Sequence, residues 1–432
     1  MSTWTYQRLR SSVKLHCPEI PKEAYRDVLG FIIGALIGLI AWHLGNAPVA
    51  AIAFPFLFPL MRGRRGVYIY ALGYHLAVVY GLMGFAATWF NDSQVMGAVA
   101  WFSLGLLASV VWPIFIAGSS QNSPVKSALQ VCAGMLCSLL PPFALVLDGQ
   151  PIVAWGYILP GWGFAGVAFA FCFTALVCAF MTWVRTAGYR VYAITGLLLQ
   201  LIALGLLLPE QDYAKPSGVI GIDTYLGKPP TNDDEHVERF SEIRKIITRS
   251  NTSVRLKGGA SVIVLPENTL NLDDAALDFM IASDVLRPLK RVEKDAVIGK
   301  LGYENGQYLN QAVFISNGAI KQTVNQRQPA MLSMWRPWSK EHFSLDWSRD
   351  TKIDFGNGLV GRVLFCYEEY IPALFMLDEL RGGHAMEIII SSNWSASDPR
   401  LPEVQRLHSL GMSKLFARPV VRSVNYAAAL EK

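Results

Sequence analysis

Long apolar runs separated by short polar loops fill the first half of the chain and constrain its fold more than any other feature. A helix needs about 20 mainly apolar residues to cross the hydrocarbon core of a bilayer. We therefore predict an α-helical polytopic membrane domain of about seven transmembrane helices over residues 29–208. The predicted spans are Leu29–Gly45, Ala47–Met61, Gly66–Phe90, Val95–Gly118, Ser127–Leu147, Gly161–Val184 and Val191–Leu208. The second is short, and Pro55 and Pro59 are expected to bend it.

Lysine and arginine residues fall in every second loop between these spans. Short cytoplasmic loops carry such residues in excess. The basic positions are Arg8, Arg10, Lys14, Lys22, Arg26, Arg62, Arg64, Arg65, Lys126, Arg185 and Arg190, whereas the loops at residues 46, 91–93 and 148–151 contain neither residue type. This pattern predicts a cytoplasmic N-terminal segment (1–28), seven crossings of a bacterial inner membrane and a periplasmic domain over 209–432.

The composition excludes several classes of function. The chain is 52% hydrophobic, above the 45–50% that is usual for soluble domains. Its net charge of +5 reflects basic residues beside the spans and does not indicate a nucleic-acid partner. His43 and His75 lie in or beside spans without accompanying Asp, Glu or Lys. We expect them to be neutral and hydrogen-bonded at helix contacts, which argues against a transporter.

Short β-branched runs alternate with helical stretches after residue 217. The predicted strands are 219–222, 261–265, 296–299, 311–316, 319–324, 361–365, 387–391 and 420–424, and the predicted helices are 234–249, 273–285, 369–380 and 403–416. Asn317-Gly318, between two of the strands, is typical of a two-residue hairpin. Strands and helices in this order predict an α/β layered domain.

Two side chains in the soluble half are candidates for catalysis. Cys366, alone among the six cysteines in lying there, follows a predicted strand and begins a helix. It is either a small buried core residue or a reactive thiol, because backbone amides at a helix start stabilise a thiolate. Glu267, after another apolar strand, is either a solvated or capping carboxylate or a base. Functional groups gather at the carboxyl ends of strands, so the pair could act as base and nucleophile.

These stretches resemble the carbon–nitrogen hydrolase (nitrilase) superfamily and, within it, apolipoprotein N-acyltransferase. The resemblance rests on Leu265-Pro266-Glu267, Phe365-Cys366-Tyr367-Glu368 and the Arg-Pro-Val-Val-Arg-Ser-Val-Asn stretch at 418–425. Seven spans before an external domain match the acyltransferase layout, so the resemblance covers nearly the whole chain. Residues 333–338 and 62–65 resemble, more narrowly, the membrane-bound conjugal transfer members of the superfamily from Ti and symbiotic plasmids. The resemblance implies a nitrilase-like αββα sandwich for 209–432.

The resemblance also implies roles for individual residues. In the family a glutamate deprotonates a cysteine, the cysteine attacks an amide or ester carbonyl, and a lysine stabilises the oxyanion. Glu267 would be the base, Cys366 the nucleophile and Glu368 a supporting carboxylate, with the backbone amide after Cys366 as an oxyanion donor. This chain departs from the family at the lysine, where Gln326 stands, and at a second glutamate, where Met334 stands. Loss of an oxyanion donor typically costs about 2.7–4 kcal/mol of transition-state stabilisation.

The function implied by the resemblance is that of a plasmid conjugal transfer protein, namely a membrane-anchored thiol amidohydrolase or N-acyltransferase. The implied partners are membrane lipids, an acyl-donor phospholipid, a periplasmic amine or lipoprotein, and other conjugal transfer proteins. The alternative, which Gln326 and Met334 favour, is a catalytically degenerate scaffold that binds lipid or a conjugation partner. No Cys/His cluster suggests a metal, and no cofactor is predicted. The chain ends soon after Asn425, so we expect either a shortened domain or a truncated chain.

Overall fold

The computed structural model describes residues 22–44, 47–146, 148–187, 218–249, 262–270, 275–331, 333–336, 338–339, 342–396 and 398–428. Within these residues, four helical stretches are long and apolar enough to cross a membrane, namely Glu23–Trp42, Gly63–Trp89, Gln94–Ser120 and Gly163–Ala187. The helices of this half are α1 (Lys22–Trp42), α2 (Ala53–Phe56), α3 (Gly63–Val78), α4 (Leu82–Trp89), α5 (Gln94–Phe115), α6 (Pro124–Ser138), α7 (Pro151–Gly156) and α8 (Gly163–Ala187). An apolar helical region therefore precedes the α/β domain, as predicted.

Two of the predicted spans consist of shorter helices. Pro48–Leu60 forms helical turns interrupted near its prolines, in keeping with the missing amide donor of proline. The predicted fifth span corresponds to the 15-residue helix α6 followed by a 3₁₀ turn at Phe143–Leu145. The predicted seventh span, 191–208, lies outside the described residues. The count of seven and the domain bounds stay predictions.

Glycines bring α1 and α3 into close contact. A methyl group added at Gly34 would lie 2.1 Å from the backbone oxygen of Tyr70, and one at Gly73 would lie 2.1 Å from the oxygen of Phe31. Small residues that let helix backbones approach are typical of helix pairs in membranes. Glycine is therefore required at both positions of this helix crossing.

The histidines of the membrane half form hydrogen bonds between helices, as predicted. His75 Nε2 accepts from Trp112 Nε1 at 2.9 Å. His43 Nε2 lies 2.9 Å from the carbonyl oxygen of Ala77, so this nitrogen donates. Both side chains thus have a structural role at helix contacts.

Basic residues collect at the end of the helical bundle opposite the α/β domain. Arg62 pairs with Glu23 at the start of α1. Arg185, at the end of α8, donates to backbone oxygens of the loops that precede α3 and α6. At the other end of α1, Trp42 stacks on His408 of the α/β domain, with ring centroids 4.8 Å apart. The basic loops and the α/β domain therefore lie at opposite ends of the bundle.

The α/β domain contains two sheets. Its strands are β1 (Val219–Gly221), β2 (Val262–Val264), β3 (Asp295–Glu304), β4 (Gln307–Ser316), β5 (Ala319–Asn325), β6 (Lys352–Asp354), β7 (Val360–Phe365), β8 (Met386–Asn393) and β9 (Val420–Tyr426). The first sheet has the order β1-β2-β3-β4-β5 and the second the order β6-β7-β8-β9. Strands β1 to β3 run parallel, as do β7 to β9. The carboxyl ends of β7, β8 and β9 therefore share one edge of their sheet.

The sheets pack face to face, with helices outside. Val264 and Phe314 of the first sheet share a buried cluster with Phe365 and Ile388 of the second. Helices α9 (Asp233–Arg249), α10 (Ala275–Met280) and α11 (Arg287–Arg291) lie along the first sheet, with a π-helical turn at Ile281–Leu286. Helices α12 (Pro372–Arg381) and α13 (Arg400–Leu415) cover the second sheet. These layers form the predicted αββα sandwich.

Most predicted elements match the observed ones within a few residues. Asn317 and Gly318 have φ values of 52° and 70°, and Ser316 pairs with Ala319. This geometry confirms the predicted two-residue hairpin, since both turn residues adopt the left-handed conformation. The short strand β6 was not predicted, because its 3 residues contain only one buried apolar side chain.

Helix α13 joins the sandwich to the membrane half. A methyl group added at Gly156 of α7 would lie 1.7 Å from the backbone oxygen of Gly411 in α13. Tyr157 donates from its hydroxyl to the carbonyl of Leu407 at 2.8 Å, and His408 Nε2 accepts from the Gly149 amide at 2.8 Å. One helix therefore packs on the second sheet and on the membrane half at once.

Candidate active site

Polar side chains meet where the strands of both sheets end. Glu267 comes three residues after β2, Cys366 directly follows β7, and Ser392 lies near the end of β8. Glu267 is 3% exposed, and the Cys366 thiol lies close enough to its carboxyl group to lower the pKa of Glu267. The structure thus brings together the two side chains that the sequence indicated as base and nucleophile.

The Glu267 carboxylate is held by donors on both oxygens. Its Oε2 accepts from the backbone amide of Ser392 at 3.0 Å, and its Oε1 accepts from Asn310 Nδ2. Burial raises the pKa of Glu267 to about 7, and the hydrogen bonds from Asn310, Cys366 and Ser392 act in the opposite direction. A carboxylate with a pKa near neutrality is well matched to accepting a proton at pH 7.

Cys366 occupies a strained turn. Its φ is 34°, in the left-handed region that a residue with a Cβ rarely adopts. It begins a 3₁₀ helix that ends at Tyr370. Burial and the neighbouring Glu267 charge raise the pKa of the Cys366 thiol well above its usual range, while hydrogen bonds from the Ser392 amide and Gln405 favour the thiolate. The thiol therefore stays protonated unless a base removes the proton.

Glu368 holds this turn in place from behind. It is fully buried; its Oε1 accepts from the backbone amides of Arg327 at 2.7 Å and Gln328 at 2.8 Å, and its Oε2 accepts from that of Phe365 at 3.1 Å. The carboxylate thus ties the end of β7 to the segment after β5. These contacts hold the turn, and the supporting role in catalysis that the resemblance implies for Glu368 stays a prediction.

Gln326 lies beside Asn310, one of the residues that hold Glu267. It is 2% exposed, and its Oε1 accepts from Asn310 Nδ2 at 3.2 Å. Its Nε2 is buried and has no hydrogen-bond partner among the described residues. A buried amide donor thus lies beside the residue that holds Glu267, and it carries no charge.

The other residues near the lysine position point elsewhere. Arg327 is fully buried and donates to both oxygens of Asp378, at 2.5 and 3.0 Å. Lys321 is exposed on β5. Met334, at the position of the family's second glutamate, is partly buried in the loop after β5 and donates from its amide to Ala330. None of these three side chains brings a positive charge to the site in the place of the family lysine.

Several site residues were not found from the sequence. Asn310 lies within strand β4, and an asparagine in a strand does not by itself indicate a functional site. Gln405 of α13 donates to the Cys366 carbonyl at 2.7 Å. Arg422 of β9 donates to Glu369, and Arg422 belongs to the 418–425 stretch that carried the resemblance. That stretch was the only signal available for any of them.

A separate cluster of charged groups lies at the opposite edge of the second sheet. Glu379, His384 and Glu387 offer ligand atoms within 4.8 Å of one another. Arg418 donates to both oxygens of Glu379, at 2.7 and 2.8 Å. Burial lowers the pKa of His384, but hydrogen bonds to Glu379 and Glu387 outweigh it and raise that pKa to about 9. The contacts of the cluster, from His384 to Glu379 and Glu387 and from Arg418 to Glu379, are those of an ion-pair network.

Two conjugal transfer proteins align with nearly the whole chain. The probable conjugal transfer protein TraB of Sinorhizobium fredii is 26% identical over 414 residues, which cover 91% of this chain and 97% of that protein. The conjugal transfer protein TraB of Agrobacterium fabrum is 24% identical over 440 residues, which cover 95% of each. The chain is similar to the TraB conjugal transfer proteins. This finding confirms the narrower of the resemblances stated above.

Solved structures of nitrilase-superfamily proteins are also similar. An amidase from Nesterenkonia sp. is 11% identical, with a TM-score of 0.35, over 49% of this chain and 79% of the amidase. A carbon–nitrogen hydrolase from Helicobacter pylori is 12% identical, with a TM-score of 0.33, over 48% of this chain and 72% of that one. No family model matches the chain.

Proposed function

We propose that this protein acts in plasmid conjugation as a membrane-anchored enzyme of carbon–nitrogen hydrolase type, with Cys366 as nucleophile and Glu267 as base. The observation that supports it best is the buried Glu267 carboxylate beside the Cys366 thiol: the Ser392 amide holds this carboxylate at 3.0 Å, and burial raises its pKa to about 7. The TraB similarity supports the conjugal role.

In the proposed reaction Glu267 accepts the thiol proton while Sγ of Cys366 attacks the carbonyl carbon of an amide or ester. The carbonyl oxygen becomes an oxyanion, which the Tyr367 amide and Gln326 Nε2 would stabilise. The unpartnered Gln326 donor supports this role, because an unsatisfied buried donor costs about 1–3 kcal/mol until an acceptor arrives. Glu267 then gives its proton to the leaving amine or alcohol, and a thioester remains on Cys366.

The fate of the thioester separates a hydrolase from an acyltransferase. Attack by water, with Glu267 again as base, releases a carboxylic acid, and attack by an amine transfers the acyl group to nitrogen. The contact of α13 with the membrane half supports a site close to lipid, and thus a phospholipid acyl donor and a lipoprotein or amine acceptor. The collection of basic residues at the opposite end of the bundle supports an inner-membrane location with the sandwich in the periplasm.

The test is conjugation frequency from donor cells that carry Cys366→Ala. Cys132→Ala is a matched control, because Cys132 lies in α6, away from the site. We expect transfer to fall in the first variant and to stay at the parental level in the second. Parental transfer with Cys366→Ala, at parental protein abundance, would rule out a catalytic role.

A non-catalytic scaffold is the second candidate, and the neutral side chains of Gln326 and Met334 favour it. An acyl-activated ester probe separates the two. Labelling of Cys366 that is lost in Glu267→Gln supports the enzyme. A folded protein whose Cys366 is never labelled supports the scaffold, with lipid or another transfer protein as its ligand.

A further inference from the structure

Gln405 of helix α13 lies directly against the proposed nucleophile. Its Nε2 donates to the Cys366 carbonyl oxygen at 2.7 Å and lies 3.7 Å from Cys366 Sγ. The side chain is 2% exposed. One amide group therefore contacts both the backbone and the sulfur of the same residue.

The orientation of this amide is fixed by its other neighbours. Oε1 of Gln405 accepts from Arg422 Nη2 at 3.3 Å and from Asn393 Nδ2 at 2.7 Å. A guanidinium group can only donate. The oxygen of the Gln405 amide must therefore face Arg422, and its two N–H groups must face Cys366.

Arg422 is itself held by a buried carboxylate. Its Nε donates to Glu369 Oε2 at 3.1 Å and its Nη2 to Glu369 Oε1 at 3.4 Å. Glu369 also accepts from Ser391 Oγ at 2.5 Å and Ser409 Oγ at 2.8 Å. Charge-assisted bonds of this kind are stronger than neutral ones. These bonds hold the Arg422 guanidinium in a position where its Nη2 faces the Gln405 amide oxygen.

We propose that Gln405, oriented by Arg422, donates to the Cys366 thiolate and stabilises the ionised nucleophile at a site where Gln326 brings no positive charge. The proposal rests on the proposed role of Cys366. It assigns Gln405 a function that neither the motifs nor the strand-end argument indicated. A purely structural Gln405 would hold the Cys366 carbonyl without changing the acidity of the thiol.

The test measures how fast iodoacetamide alkylates Cys366 as a function of pH. The full-length protein in detergent carries Glu267→Gln, so that the thiol titrates without a coupled carboxylate, and its other cysteines are replaced by alanine. Hydrogen bonds to charged groups are stronger than neutral ones, but the 3.7 Å contact with sulfur is long, so we expect a modest effect. In Gln405→Leu we expect the midpoint of the profile to rise by about one pH unit, which is an alkylation rate about tenfold lower at pH values below both midpoints.

Two further variants make the result decisive. Gln405→Glu keeps the shape and the pairing with Arg422 but turns an acceptor toward the sulfur, so its midpoint is expected to be the highest of the series. Arg406→Gln is the matched control, because Arg406 follows Gln405 on α13 and pairs with Glu403 at 2.7 Å on a half-exposed face. Its profile is expected to superpose on that of the parent.

A profile of folded Gln405→Leu that superposes on the parent would overturn the proposal. If Gln405→Leu does not fold, Gln405→Glu decides, and a midpoint at or below the parental one is the refuting result. Alkylation needs no turnover, so this outcome is separate from the proposed function. That function fails instead when Cys366→Ala conjugates at the parental frequency.

Discussion

Substitution of Gly156 by alanine tests whether the membrane half sets the geometry of the candidate site. The added methyl would lie 1.7 Å from the backbone oxygen of Gly411, and ordinary contact begins at 3.4 Å. Helices α7 and α13 must therefore separate by roughly 1.7 Å, and overpacking of this kind costs about 1–3 kcal/mol. Gln405 lies six residues before Gly411, or about 9 Å along the helix axis. A shift of this size at Gln405 would break its 2.7 Å bond to Cys366.

We expect Gly156→Ala to lower the thermal unfolding midpoint in detergent and to slow labelling of Cys366 by an activated ester. Gly134→Ala is the control, because a methyl there meets its nearest neighbour at 3.5 Å and should fit. The two measurements together separate a local clash from general unfolding. Parental labelling and a parental midpoint in Gly156→Ala would refute the idea that α13 transmits the packing of the membrane half to the site.

Three further predictions concern the site and its support. The rate of ester labelling at Cys366 should rise with pH through about 7, because only the ionised form of Glu267 accepts the thiol proton and the pKa of Glu267 is about 7. A flat labelling rate between pH 5 and 9 would contradict this. Gln326→Ala should lower the labelling rate by about 10²–10³, the usual effect of losing an oxyanion donor, whereas an unchanged rate would remove Gln326 from the mechanism. Asp378→Asn should destabilise the fold by about 3–5 kcal/mol in thermal or denaturant unfolding, since Asp378 pairs with the fully buried Arg327 and Arg362. A parental unfolding midpoint would show that this ion-pair cluster does not stabilise the fold.

The layered architecture could be predicted from the sequence because its signals are local. Apolar runs of membrane length, alternating strands and helices, and the Asn317-Gly318 turn each depend on neighbouring residues alone. Glu267 and Cys366 were found for the same reason, as Cys366 directly follows an apolar strand and Glu267 comes three residues after another. That the two residues would lie close together could be predicted from one rule, namely that functional groups gather at the carboxyl ends of strands.

The surroundings of Cys366 could not be predicted because they depend on how distant elements cross. Asn310 reaches Glu267 only because β4 lies beside β3 in the first sheet. Gln405 reaches Cys366 because α13 runs across the second sheet, and Arg422 reaches Gln405 because β9 lies next to β8. None of these distances follows from spacing along the chain. The same holds for Glu368. The Cys-Tyr-Glu motif does not show that Glu368 accepts from the amides of Arg327 and Gln328 in the segment after β5.

If Gln326 occupies the family's lysine position, as the resemblance implies, its neutral side chain and the raised pKa of Glu267 are connected. A lysine beside a buried carboxylate favours its ionised form and lowers its pKa. With glutamine in that place, no such charge offsets burial, and the Glu267 pKa reaches about 7. In the proposed reaction this makes Glu267 a stronger base toward the thiol at neutral pH, while the oxyanion loses a charged donor. Gln326→Lys should therefore move the pH midpoint of Cys366 labelling below 7, and a midpoint that does not move would show that burial alone controls the basicity of Glu267.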